Sequence, residues 1–420
     1  MDQVYLLHCD QYDASKIEAS LRPVLATLGV TLPQGVPTFI KPNCAFAQPR
    51  YAPASYTHPA VLQALARLLK PNPVVVGENG MVGFPSRLGL TQAGYASLAK
   101  SESFTLLPLD EAPVVSVPLT RGQVLKQVQL PRAQQAAQWW VSAPKLKANA
   151  FLPFSGALEN NLGLLQHETL GKYHDALPAL CADLLEVAHP NLVVVDAVEM
   201  GEGPSGVITT PRALGALIVG TNPLAVDAVC AAILGLDPGT VPPLRAAVDR
   251  GYGPADLSNI QLLGDMTLHE LRTRAASRVQ PDPRPENHPL PGKIKLVVGK
   301  PYSLTGTAGA LAEMFAFLDR GGIDLKGARE CVIVLGKSDQ AQATSDDTAA
   351  IIFLGDKAYA PYKGFTRIVR LRGEPVLTAQ LLENIPFAMK LRNPVDDFRG
   401  ELWKAQLQSK LNAWLNRRGS

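Results

Sequence analysis

Short apolar runs alternate with helically spaced apolar positions along most of the chain. Pro37-Thr-Phe-Ile40, Pro73-Val-Val-Val76, Trp139-Trp-Val-Ser142 and Leu192-Val-Val-Val195 are short, β-branched or aromatic, and bounded by Pro, Gly or Asn. They predict buried strands. His58 to Leu69 predicts a helix: His58-Pro59 opens it, and Val61, Leu62, Leu65, Leu68 and Leu69 share one face. Strands that are apolar throughout, separated by helices, predict an α/β fold with a largely parallel sheet covered on both faces.

The rhythm resumes after Pro281-Asp-Pro-Arg-Pro-Glu-Asn-His-Pro-Leu-Pro291, five prolines in eleven residues. Fixed φ values and missing donors suit this run to an extended connector, although such an arm can also wrap onto its own domain. Read as a boundary, it separates an α/β domain over 1–280, through a linker at 281–292, from a smaller α/β domain over 293–420. In the second part, 293–298, 331–335, 351–354 and 367–371 predict strands, and 308–318 predicts a helix. A last helix over about 396–416 puts Trp403, Leu407, Leu411 and Trp414 on one stripe. The stripe is expected to pack back on its own domain, with docking to a partner or a membrane surface as the alternative.

Composition narrows the classes. Of 420 residues 46% are hydrophobic and 18% charged, ample for a core. Forty basic against 37 acidic residues leave +3, with 20 against 15 from Pro281 onward, which is not a nucleic-acid binder's excess. The five cysteines lie 35 or more residues apart with no CxxC, as expected of reduced thiols. The N-terminus has no basic and apolar leader, and no apolar stretch approaches a membrane span. The expectation is a cytoplasmic protein without nucleic-acid or membrane partners; a homo-oligomer stays open.

Ligands of open α/β sheets bind beyond the carboxyl ends of the strands. The residues following the four strands are Lys41-Pro-Asn43, Gly77-Glu78-Asn79, Pro144-Lys145-Leu-Lys147 and Asp196. If the strands are parallel, Lys41, Glu78, Lys145 or Lys147, and Asp196 converge on one edge. A lysine desolvated beside another cation can act as base or nucleophile, and a carboxylate across from it as acid, base or metal ligand. The same residues would equally serve as salt bridges and loop anchors. Asp227 is the sole charge between Pro223 and Leu234, on a helix opened by Asn222-Pro223. Such a carboxylate needs a lysine or backbone amides as partner, or it orients a site lysine. Gly201-Glu-Gly203-Pro-Ser-Gly206 and Gly299 to Gly309 are glycine-rich turns that could approach an anion, without a Walker or dinucleotide fingerprint. Seven histidines show no HExxH; His167 and His174 stand seven apart with Glu168 and Asp175 nearby, where a metal is conceivable.

In order, Lys41-Pro-Asn43, His58-Pro59, Pro144-Lys-Leu-Lys147, Asn161-Leu-Gly163, Asp196 to Gly206 and Asn222-Pro-Leu-Ala-Val-Asp227 with Gly235-Leu-Asp resemble the domain-of-unknown-function 362 family of bacteria and archaea, over about 39–265. Many members carry ferredoxin-like cysteines for iron–sulfur clusters; their absence here makes a cluster an unexpected cofactor and leaves any cofactor unknown. The chain also departs from the family where Ala148-Asn149 and Asn160-Asn161 stand for a histidine after the lysine motif and a Lys-Asn pair. Toward the C-terminus, Gly355-Asp-Lys-Ala358 and Gly373-Glu-Pro-Val376 resemble a family extension but lack its cysteines.

The sequence thus predicts a crevice for a small anionic organic molecule, with proton-transfer chemistry of isomerase or lyase type. Lys145, Lys147, Asp196 and Glu78 would be catalytic; Lys41, Asn43, His58, Asn161, Gly203 and Asp227 would bind ligand; no metal set is assigned. The alternative is a non-catalytic metal- or cofactor-handling protein related to iron–sulfur proteins.

Overall fold

A computed structural model describes residues 1–275, 290, 292–302 and 304–418; apart from Leu290, the Pro-rich run at 281–291 lies outside them. In chain order the first strands are β1 (Asp2–His8), β2 (Thr38–Pro42), β3 (Val74–Glu78), β4 (Thr105–Pro108), β5 (Val114–Pro118), β6 (Gln127–Pro131), β7 (Trp139–Ala143), β8 (Lys145–Lys147), β9 (Leu192–Glu202), β10 (Thr210–Gly220) and β11 (Ile260–Gly264). After them come β12 (Ile294–Val298), β13 (Cys331–Lys337), β14 (Gln342–Ala343), β15 (Ala350–Tyr359), β16 (Tyr362–Lys363) and β17 (Arg367–Leu371).

The large sheet runs β11-β1-β10-β9-β7-β2-β3-β4, with β8 attached to β9. Its pairs are parallel except those of β10, which is antiparallel to both neighbours. The glycine-rich run after Asp196 is the connection that reverses the chain from β9 into β10, too short for a crossover. Alternation along β9 shows why a continuous apolar run was needed. Val193 and Val195 join a core with the helices Leu177–Leu185 and Pro223–Ile233. Val194 joins another with Ala14–Thr27 and Pro59–Leu68. Both faces are covered, as parallel strands require.

β12, β13, β15 and β17 form a second, all-parallel sheet. Its helices Gly309–Arg320 and Thr378–Ala388 share a core with Phe46, Tyr51, Phe84 and Val207 of the first part. Phe46 stands 5.4 Å from the Phe317 ring and 5.8 Å from that of Phe398.

The C-terminal helix Arg399–Arg418 bonds to the first part of the chain rather than packing back on its own domain, and not through the expected stripe. Trp403, Leu407, Leu411 and Trp414 are all exposed, and the helix instead contacts the body through Ser409, Asn412 and Asn416. Apolar periodicity locates a helical face; it does not decide whether that face is turned inward.

Candidate functional site

β2, β3 and β7 end on one edge of the sheet, with Lys41 opposite Ser142 in register. There Lys41 and Glu78 form a buried ion pair at 2.7 Å. The other donors of Lys41 Nζ go to the Pro42 carbonyl (3.0 Å) and to Asn160 Oδ1 (3.1 Å). Glu78 accepts from the Cys44 and Asn79 amides at 2.8 and 2.7 Å. Burial pushes its carboxyl up, and Lys41 opposes that. Gly163 covers the pair: a Cβ there would lie 2.3 Å from Glu78 Oε1 and 2.7 Å from Lys41 Nζ.

Beside the pair opens a cavity of about 110 Å³, lined by Lys41, Asn43 and Glu78 from the strand ends, by Lys147 and Glu159, and by Glu313 from the helix Gly309–Arg320. Lys147 Nζ donates to the Ser55 carbonyl (2.6 Å) and Asn43 Oδ1 (2.8 Å), two of its three N–H groups. Burial lowers its pKa, against the pull of Glu159, Glu78 and Glu313. Glu313 is buried; burial raises its carboxyl to about 7, although Thr378 Oγ1 donates to it at 2.8 Å and Ser205 and Lys147 favour the charged form. Glu159 accepts from Ser155 Oγ and from Asn149 Nδ2 at 3.2 Å. His174 lines the same cavity with Nδ1 against the Thr305 carbonyl at 2.7 Å, and burial lowers its pKa.

The other sequence candidates sit elsewhere. Lys145 and Asp196 pair at 3.0 Å in a closed network that does not line this cavity. Asp196 also accepts from Tyr12 Oη (2.9 Å) and the His58 amide (2.8 Å), and Lys145 donates to Tyr12 Oη at 2.8 Å. His58 caps the helix Pro59–Leu68 through Nδ1 and stacks on Tyr12 with ring centroids 3.6 Å apart. Asp227 accepts the Ala157 and Leu158 amides at 2.6 and 2.9 Å, the backbone-amide role left open by the sequence, and burial raises it to about 7. Asn161 Nδ2 donates to the Ala188 carbonyl, while its Oδ1 is buried without a partner. Gly203, at φ +150°, makes the turn against the Ile208 carbonyl; it is Gly206 that reaches the cavity. His167 bonds the Gly80 carbonyl through Nε2 at 3.0 Å. Among the described residues no group of three His, Cys, Asp or Glu side chains is placed to hold a metal ion. Lys357 and Glu374, from the two segments that resemble the family extension, face each other 3.9 Å apart.

Three site residues escape the strand-end reading: Asn160, Glu159 and Glu313. Glu313 had a signal, being the sole charge in Gly309-Ala-Leu-Ala-Glu-Met-Phe-Ala-Phe-Leu318, the pattern that singles out Asp227.

Comparison with known proteins gives one curated relative and a structural likeness. The thylakoid-associated protein sll1697 of Synechocystis sp. is 26% identical over 272 residues, 60% of this chain and 80% of that protein. The lactate racemase apoprotein from Thermoanaerobacterium thermosaccharolyticum aligns at 11% identity and a TM-score of 0.36, over 55% of this chain and 57% of that one. No described helix is long and apolar enough to cross a membrane. Residues 38–232, which supply the Lys41–Glu78 pair, Lys147, Glu159 and the Asp227 cap, match the family described as Domain of unknown function (DUF362).

Proposed function

We propose that the cavity between the strand ends of the large sheet and the helices of the small one binds a small organic molecule bearing a carboxylate or oxyanion, and moves a proton on it. The observation that carries this reading is the placing of Lys147 and Glu313 on one cavity, each shifting the other's proton affinity. A carboxyl near 7 is populated in both forms at neutral pH, the condition for general acid–base work. Lys41 is fully committed to Glu78, Asn160 and a carbonyl, so it serves as a fixed neutral pair. The N–H that Lys147 keeps beyond Ser55 and Asn43 is available to an anion.

In this reading Glu313 as carboxylate takes a proton from a carbon beside a carbonyl. The electron pair moves onto the carbonyl oxygen, which accepts from Lys147, and Glu313 delivers the proton to that oxygen, giving the enol isomer. Substrate and product are isomers, so no oxidant or co-reactant is consumed. Lys145 and Asp196 take no part in the step, because neither lines the cavity.

Exchange of substrate C–H for solvent deuterium, followed by proton NMR across a panel of short oxo- and hydroxycarboxylates, tests the reading. Glu313→Gln should cut exchange by about 10²–10⁴-fold while ligand still binds; Lys147→Met should lose both. Exchange unchanged in Glu313→Gln, or absent from the wild-type protein on every panel member, overturns it.

A further inference from the structure

The C-terminal helix Arg399–Arg418 has two faces of different chemistry. One is bonded to the body of the protein: Ser409 Oγ to Asp110 at 3.2 Å, Asn412 Nδ2 to Glu111 and Asn416 Nδ2 to the Glu111 carbonyl, both at 2.8 Å, with Ala405 buried beside them. The other turns Trp403, Leu407, Leu411 and Leu415, spaced by four residues, to solvent at 61, 51, 55 and 50% exposure, with Trp414 exposed alongside. A contiguous apolar stripe left in water marks an interaction surface.

Charge says what kind. Lys404 and Lys410 are exposed and flank the stripe at helical spacing. Glu401, the helix's one acid, turns to the body, where it accepts from Gln92 Nε2 at 2.8 Å. The segment 399–418 holds five basic residues against that single acid. Tryptophan and leucine between cations, with the acid on the far side, is the pattern of a helix lying in a lipid interface. A second copy of this chain fits less well: a two-fold interface would set the same face against itself, lysine toward lysine, with no carboxylate between them.

We propose that this helix docks the protein on an anionic lipid surface, lying parallel to it with Trp403, Leu407 and Leu411 at headgroup depth. Lying on a membrane requires no spanning segment, so it is compatible with a chain whose described helices cannot cross one. The bonds of Ser409, Asn412 and Asn416 hold the helix in place and present the stripe outward.

Co-sedimentation of the full chain with vesicles of phosphatidylcholine alone, or of phosphatidylcholine and phosphatidylglycerol in equal parts, tests the proposal. The chain should bind the mixed vesicles, more weakly as salt is added. Leu407→Glu with Leu411→Glu should lower that binding by roughly tenfold or more, and Lys404→Glu with Lys410→Glu comparably. Both pairs of substitutions lie on the solvent face, so circular dichroism and melting should match the wild type. No binding to mixed vesicles, or equal binding to phosphatidylcholine alone, overturns the proposal. So does a dimer that Leu407→Glu with Leu411→Glu dissolves in a chain that ignores vesicles.

Discussion

At the scale of the residue, Glu313 and Asp227 share a signature, one acid in an apolar helix, and separate only in what lies opposite. Asp227 meets the amides of Ala157 and Leu158, whereas Glu313 meets a hydroxyl and an open cavity. Nothing in either helix encodes that difference, since it belongs to segments 65 or more residues away. Both carboxyls are held up to about 7, from 3.8 for Asp227 and 4.5 for Glu313. A raised carboxyl binds its proton more tightly when folded, so its contribution to stability is full below the unfolded value and is lost as pH rises through the folded one. For Glu313 the window runs from 4.5 to about 7, and the loss amounts to at most about 3 kcal/mol. Urea unfolding of the wild type and of Glu313→Gln at about pH 5 and about pH 8 should show the variant losing less stability across the interval. Parallel losses in the two proteins would show that Glu313 is not the group titrating. Lys41 obeys a different rule. Lys41→Met strands Glu78 in the interior and should cost about 3–5 kcal/mol, while Lys41→Met with Glu78→Leu should cost much less.

At the scale of the element, the strands that build the cavity were legible because each is apolar on both faces. β2, β3, β7 and β9 begin within one residue of their expected starts, and their shared direction brings Lys41 and Glu78 together. β1 and β10 are not among the strands the sequence predicts. Gly215, at φ +74°, and the bulge between Ala213 and Ala216 break the alternation of β10. The lysines of β8 show where spacing fails. Lys145 and Lys147 are two residues apart, yet an irregularity against β9 sends one into the Tyr12–Asp196 network and the other into the cavity. The segment 157–164, bearing Glu159, Asn160 and Gly163, is held at its start by Asp227, its one side-chain cap among the described residues. Asp227→Ala should therefore speed amide exchange there by at least tenfold, one lost bond to a charged group amounting to about 1.5–3 kcal/mol, and leave β2 and β3 protected. Uniform deprotection would make Asp227 a support of the whole core and not of this element.

At the scale of the molecule, the cavity exists because two sheets meet across a shared aromatic core. Phe46 and Tyr51, from the loop after β2, pack against Phe317 and Phe398 of the second part, and Tyr51 Oη donates to Asp397 at 2.6 Å. Arg50 reaches the same carboxylate at 2.7 Å. A joint built from buried rings is expected to couple the stability of the two sheets. It also fixes Glu313 on the cavity it shares with Lys147, since the helix of Glu313 carries Phe317 one turn further on. The sequence announces each sheet but not this joint, because Phe46 lies in a stretch without periodicity and its partners come more than 270 residues later. Phe46→Ala should cost about 3–5 kcal/mol. If the sheets are coupled, calorimetry should show the wild type unfolding in one transition and the variant in one transition at lower temperature. Two resolved transitions in the wild type, with only one displaced by the substitution, would mean the sheets fold independently and that the cavity walls can part without unfolding either.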